Sequence, residues 1–304
     1  MFRRNLFAFA LGLLTVGLYA PVVPAQPPAN QVLQLGMAKT FFHDVPQPFI
    51  DIATAQFAPV MKMTTTLDGK LNTQFGALEI AQKLDANQLQ IGVFNGLEFA
   101  WAQEKYPALQ PIVVAVNPFR DVRAFVIVHK DNPAKSIADL RGKTLAMTLG
   151  TKEHCWVYAD RKCADNNQAN AAAFFAKIER SQSAQDALDD IARKKVDAAV
   201  LDTISLEFYK KIRLPVFTAH MRVLQQSESF PAAVLAYKKG SLNDATVKKF
   251  RDGLISAHQN PAGADMMKML NIEAFEAVPN DFAKSVADIL KAYPARQPWK
   301  VASR

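Results

Sequence analysis

Short apolar runs rich in β-branched residues alternate with helix-like segments twice along this chain; after residue 243 the alternation stops and only helical sequence continues. Alternation of this kind produces sheets of mostly parallel strands covered by helices, which places the chain in the α/β class. The first pass runs through a strand at 32–38, a loop at 39–46, a helix at 47–61, a short strand at no definite position within 64–72, a helix at 76–86, a strand at 89–94 and a helix at 97–105. Residues 112–116 and 124–128, separated by the polar stretch 117–123, read as adjacent strands. The second pass has a short helix ending near Arg141-Gly142, a strand at 144–148, a helix through Tyr158, a strand near Ile178, a helix at 184–194, a strand at 198–201 and a helix at 203–211. Strands at 222–226 and 233–237 close it.

A helical tail without strands of its own needs an existing sheet to pack on. The simplest arrangement builds most of one lobe from 26–126, crosses to a second lobe at 127–235, and returns to complete the first with 236–304. Two crossings make a two-strand hinge and leave a cleft between the lobes.

Composition bounds the compartment and the partners. Met1-Phe-Arg3-Arg4 is a basic start, residues 6–20 are apolar, and Val23-Pro24-Ala25 precedes Gln26, so 1–25 reads as a cleavable export signal. The apolar run is shorter than the ~20 residues that span a bilayer, and no cysteine stands near the cleavage site to accept a lipid. Without Arg3 and Arg4 the formal charge falls from +8 to +6; it is dispersed, with no basic block interleaved with aromatics, which argues against nucleic acid as a partner. In an oxidising compartment the two cysteines, Cys155 and Cys163, are expected to form a disulfide, with free thiols as the alternative. A metal site at Glu153, His154 and Cys155 is disfavoured, because adjacent residues on one segment rarely converge on one ion. No metal or cofactor is expected.

The segment Phe125-Val-Ile-Val-His-Lys-Asp-Asn-Pro133, followed by Ser136-Ile-Ala-Asp-Leu-Arg-Gly-Lys-Thr144, resembles a hallmark of type II periplasmic solute-binding proteins, in which a hinge strand leads into the first strand of the second lobe. Gln90-Ile-Gly-Val-Phe-Asn-Gly96, Lys195-Val-Asp-Ala-Ala-Val-Leu-Asp202 and Gln226-Ser-Glu-Ser-Phe-Pro231 make the whole order similar to the phosphate/phosphonate-binding branch. The resemblance implies a two-lobed receptor in the periplasm, monomeric, that binds a small solute and delivers it to an ABC transporter permease at the inner membrane by hinge closure; a sensory role for the same receptor is the alternative. No Gly-x-Ser-x-Gly elbow, His-Glu-x-x-His helix or phosphate-binding Walker loop occurs, so no enzyme activity is expected.

Ligands of open α/β sheets bind outside the carboxyl ends of the strands, which selects the loops that follow them. In the first lobe these hold Lys39, Phe41, Phe94 and Asn95; in the second, Thr148, Thr151, Lys152, Ser181, Ser183 and Asp202. Arg123, just before the hinge strand, could clamp an anion bidentately. Relatives in the phosphonate branch carry a hydroxyl-rich Ser-Gly turn where this chain has Thr148-Leu-Gly-Thr-Lys-Glu-His154. Thr148, Thr151 and Lys152 could still hold an anion at a helix start with Ser181 and Ser183, while Asp202 faces an amine, so an anionic or zwitterionic solute is expected. Each also has a plain structural role: Ser183 and Asp202 stand where helix caps are needed.

Overall fold

The structure, a computed structural model, describes residues 32–42 and 47–295; the expected export signal at 1–25 lies outside them. The first lobe opens with β1 (Leu33–Met37), a 3-10 turn (Lys39–Phe42), α1 (Gln47–Thr65), β2 (Gly69–Asn72), α2 (Ala77–Asp85), β3 (Ile91–Phe94), α3 (Gly96–Lys105) and β4 (Leu109–Val116). The second comprises β5 (Ala124–His129), β6 (Thr144–Thr148), α4 (Glu153–Ala164), α5 (Ala171–Phe174), β7 (Lys177–Ser181), α6 (Ala184–Ala192), β8 (Ala198–Asp202), α7 (Thr203–His220) and β9 (Met221–Gln226). The chain then returns for β10 (Ala233–Lys238), α8 (Asp244–Ile255), α9 (Pro261–Met269), β11 (Ala274–Ala277) and α10 (Phe282–Ala292).

The strands form two sheets, ordered β11-β4-β10-β3-β1-β2 and β7-β6-β8-β5-β9. In the first, β1 to β4 share one direction and β10 runs against both β3 and β4; in the second, only β5 runs against the rest. The central strands β3 and β8, Ile-Gly-Val-Phe and Ala-Ala-Val-Leu-Asp, are buried along their whole length. Strands covered on both faces read as continuous apolar runs rather than alternating ones, and the carboxyl ends of these two lead to Asn95 and Thr203, which line one cavity.

Three expectations are corrected. Residues 112–116 and 124–128 are not adjacent strands: β4 pairs with β10 and β11, β5 with β8 and β9, and the polar stretch between them is the crossing from one sheet to the other. The tail is not wholly helical, since β11 pairs antiparallel with the edge of β4. Cys155 and Cys163 are free thiols, both buried. They lie eight residues apart in α4, ~12 Å along the axis at 1.5 Å per residue, and a disulfide needs Cα atoms within ~7 Å. Burial pushes both thiols up, that of Cys163 to about 12.

The crossings occupy 117–123 and 227–232 and are bonded to each other. The Ser227 N–H donates to the Ala124 carbonyl (2.9 Å), the Phe230 N–H to that of Val122 (2.8 Å), and the Arg123 guanidinium to that of Ser227 (2.7 Å). The start of α3 leans on this ribbon so closely that a Cβ on Gly96 would lie 2.0 Å from the Pro231 carbonyl oxygen. Beside it, one hydrophobic cluster joins the lobes: Leu97 and Trp101 of α3 and Tyr293 after α10 pack with Tyr158 of α4 and with Phe230. The Trp101 indole donates to the Tyr293 carbonyl at 2.8 Å, so this side is fastened while the opposite side opens as a cleft.

Candidate functional site

The cleft contains a cavity of about 940 Å³ lined from both sheets. Its first-lobe wall is apolar: Leu35, Met37, Val93 and Leu235 from the strands pack with Phe57 and Met61 of α1 and line it. Polar groups gather where helices begin, because helix starts carry unpaired N–H groups and the residues that satisfy them.

On the first lobe, Asn95 stands at the start of α3 in extended conformation, but its side chain makes no cap bond. Instead its amide donates to Glu98 Oε2 (2.9 Å) and to Thr40 Oγ1 (3.1 Å), and the Thr40 hydroxyl donates to the same Glu98 oxygen (3.0 Å). Glu98 also accepts the Asn95 backbone N–H, the return bond of an Asn-x-x-Glu capping box. It lies in a helix whose neighbours Leu97, Phe99, Ala100 and Trp101 are all buried, and is itself 4% exposed. Burial therefore pushes its carboxyl up to about 7, against the two side-chain bonds and with help from the negative charge of Glu153 on the other lobe.

On the second lobe, Asp202 caps α7 by accepting the Ser205 N–H (2.7 Å) and pairs with Lys152 Nζ (2.7 Å). Burial pushes this carboxyl up too, yet Lys152 first and then His154 hold it at about 2. His154 is buried against Phe230, ring centroids 5.1 Å apart, and its Nε2 has no partner. Burial lowers it to about 4, so the ring is neutral at physiological pH.

Five of the residues selected from sequence line this cavity together: Phe41, Asn95, Lys152, Ser183 and Asp202. Ser183 also caps α6, accepting the Asp186 N–H at 3.1 Å. Thr148 and Thr151 lie behind, around a water-sized space of about 10 Å³; their hydroxyls are 3.1 Å apart, and that of Thr151 bonds the Thr148 carbonyl at 3.0 Å. The remaining four are elsewhere. Lys39 is exposed outside the cavity, Phe94 is fully buried against Phe99, and the Ser181 carbonyl accepts the Leu149 N–H. Arg123 is held by Asp121 (2.6 Å) and the Ser227 carbonyl in the crossing ribbon. Sequence reasoning passed over Glu98, for which the capping-box spacing Asn95-Gly-Leu-Glu98 ahead of the apolar run Phe99 to Ala102 was the available signal; Thr40 and Glu153 fall within the loops it selected but were not singled out as solute contacts.

Several solved proteins share this architecture. A binding-protein component of an ABC phosphonate transporter from Pseudomonas aeruginosa is 18% identical, with a TM-score of 0.61 over 86% of this chain and 85% of its own. PhnD1 from Prochlorococcus marinus, solved with methylphosphonate, is 13% identical with a TM-score of 0.61 over 86% and 97%. XAC2383 from Xanthomonas citri, solved with ATP, is 15% identical with a TM-score of 0.63 over 86% and 96%. At these identities the likeness establishes the fold. No curated protein matches the sequence. Residues 53–281, however, match the family described as ABC transporter, phosphonate, periplasmic substrate-binding protein. The chain belongs to that family of solute-binding receptors.

Proposed function

We propose that this chain, exported by residues 1–25, captures a small solute in the cleft between its sheets and presents the closed, loaded form to an ABC permease at the inner membrane. The observation that carries the reading is the cavity of about 940 Å³ whose polar groups come from both lobes: Thr40, Asn95 and Glu98 on one, Lys152, Ser183 and Asp202 on the other. A solute touching both sets favours the state in which they approach each other, which is how binding becomes a change of shape. The bonded crossings and the cluster around Trp101 and Phe230 form the pivot, and the apolar lips opposite supply the moving edge.

Native mass spectrometry of protein purified from the periplasm should show a non-covalent small-molecule adduct, and reloading the stripped protein with that molecule should reduce its radius of gyration in solution scattering. Saturation without any change in radius would reject capture by hinge closure, and steady turnover of the solute would reject a receptor in favour of an enzyme.

A further inference from the structure

The cavity that holds the polar groups of the cleft does not stay between the lobes. Leu35, Met61, Leu235, Phe250, Leu254 and Phe275 line it, and all six belong to one hydrophobic cluster of the first lobe. Leu35 and Phe250 are each only 1% exposed, so an arm of the cavity reaches into the interior of that lobe, with walls from α1, α8 and the first sheet. Hinge closure moves one lobe against the other; a space walled by a single lobe remains when the lobes meet.

This arm is uncharged. Among the described residues lining the cavity, the charged ones lie on α3, on the crossing at 117–123 and on the second lobe, and α1, α8, α9 and the strands of the first sheet contribute none. Within those elements only Thr54 and Thr64 are polar. Both hydroxyl protons are used inside α1, on the Ile50 carbonyl at 2.7 Å and the Val60 carbonyl at 2.9 Å. Water in such a space finds few partners, and apolar cavities take up apolar ligands instead. A total of about 940 Å³ is at the upper end of the volumes that hold drug-sized molecules. A one- or two-carbon solute in the cleft would leave the arm unfilled.

The opposite end of the cavity suits an anionic head group. The twelve-residue helix α4 begins there, and a helix start favours an oxyanion. His154, 5% exposed, lines the same space, and its Nε2 has no partner. Of the carboxyls nearby, Asp202 is paired with Lys152 at 2.7 Å, and Glu98 accepts from Thr40 and Asn95.

We propose that the solute is an amphiphile, with a phosphonate-type head group at the start of α4 and an alkyl body of several carbons that fills the arm inside the first lobe. This rests on the receptor reading above and adds to it the body of the solute.

Calorimetry with methylphosphonate, n-butylphosphonate and n-octylphosphonate, each kept below its aggregation concentration, tests it. Affinity should rise roughly fourfold for every methylene added until the arm is full. One molecule should bind per chain, with a heat-capacity change that grows more negative along the series. Ala115 of β4 lines the cavity and packs on the same cluster; Ala115→Leu takes volume from the arm and should cut the octyl-to-methyl affinity ratio severalfold. Equal affinity across the series, saturation at several molecules per chain, binding of none of the three, or an unchanged ratio in the folded variant would overturn the proposal. If the variant does not fold, the wild-type series decides alone. The solute retained on purification judges the receptor reading separately: if it closes the protein while affinity is flat across the series, the receptor stands and the amphiphilic body falls.

Discussion

Glu98 and Asp202 occupy matching places on the two sides of the cleft, each a buried carboxyl at the start of a helix that follows a central strand. Both accept a backbone N–H from the helix start, and for both the largest single influence is burial, which favours the protonated form. Their outcomes are opposite, about 7 against about 2. Hydrogen bonds to Thr40 and Asn95 are too weak to offset the desolvation of Glu98, whereas the Lys152 ammonium at 2.7 Å, with His154 and the Ser205 N–H adding to it, more than reverses that of Asp202. What differs is the neighbouring charge: Asp202 faces Lys152, while Glu98 faces Glu153. A full opposite charge within hydrogen-bond distance, rather than the number of neutral donors, sets the sign.

The strongest way to break the comparison is to remove that ammonium. Lys152→Met leaves Asp202 buried without its partner and should cost about 3 kcal/mol at pH 7, towards the lower end for a buried pair because the lysine is a quarter exposed. Adding Asp202→Asn should recover most of the loss in urea denaturation; a double variant as unstable as the single one would show that the pair does not carry the effect.

Glu98 supplies the next effect, and its dependence on pH distinguishes it. The folded protein holds this proton up to about 7 against an ordinary value of 4.5, so ionising the carboxyl costs stability as pH rises from 4.5 to 7, roughly 3 kcal/mol in all, with no further change above. His154, lowered to about 4 from 6.5, acts in the opposite sense over an overlapping range, losing stability as pH falls. Comparing wild type with Glu98→Gln cancels that shared contribution. The variant should gain on wild type steadily between pH 4.5 and 7 in denaturant titrations, and a constant difference across that range would contradict the assignment.

A smaller change sharpens the contrast. Thr40→Val removes one donor to the ionised Glu98 and should cost about 1 to 2 kcal/mol above pH 7 and less below pH 5, where the carboxyl is neutral. An NMR titration should show the Glu98 midpoint moving further up. No movement would mean that the hydroxyl does not serve the charged form.

How much of this was legible beforehand follows from the range over which each feature is determined. The alternation of apolar strands and helices is local, so most strands and helices of both sheets could be read along the chain, whereas 117–123 read as a link between neighbouring strands because which sheet each strand joins is set by distant partners. The helix expected to stop at 211 does kink there: Arg213 leaves helical geometry ahead of Pro215 before the helix resumes. Ala-Phe-Glu-Ala in β11 has no β-branched residue and becomes a strand only because β4 offers an open edge. Loops after strands were the right places to search, yet Ser181 and Ser183, two residues apart, separate into one outside the cavity and one lining it. Glu98 was missed because its protonation follows first from burial, which residues distant in sequence provide, with Glu153 on the other lobe, 55 positions later, adding a smaller push in the same direction.

The position of β10 has a consequence for how the chain comes together. This strand is the only link between β3 and β4, which do not touch in the first sheet. Everything in the second lobe lies between residues 124 and 226 and forms one uninterrupted stretch, while the first lobe holds two unjoined halves until residues 233–238 arrive. A chain interrupted before that point leaves β3 with one bare edge and β4, whose other neighbour β11 also comes later, with no strand on either side. Completion of the older part of the molecule thus waits on the newer one, and the return crossing that closes the first sheet, residues 227–232, brings with it Phe230 and Pro231, which help to line the finished cleft.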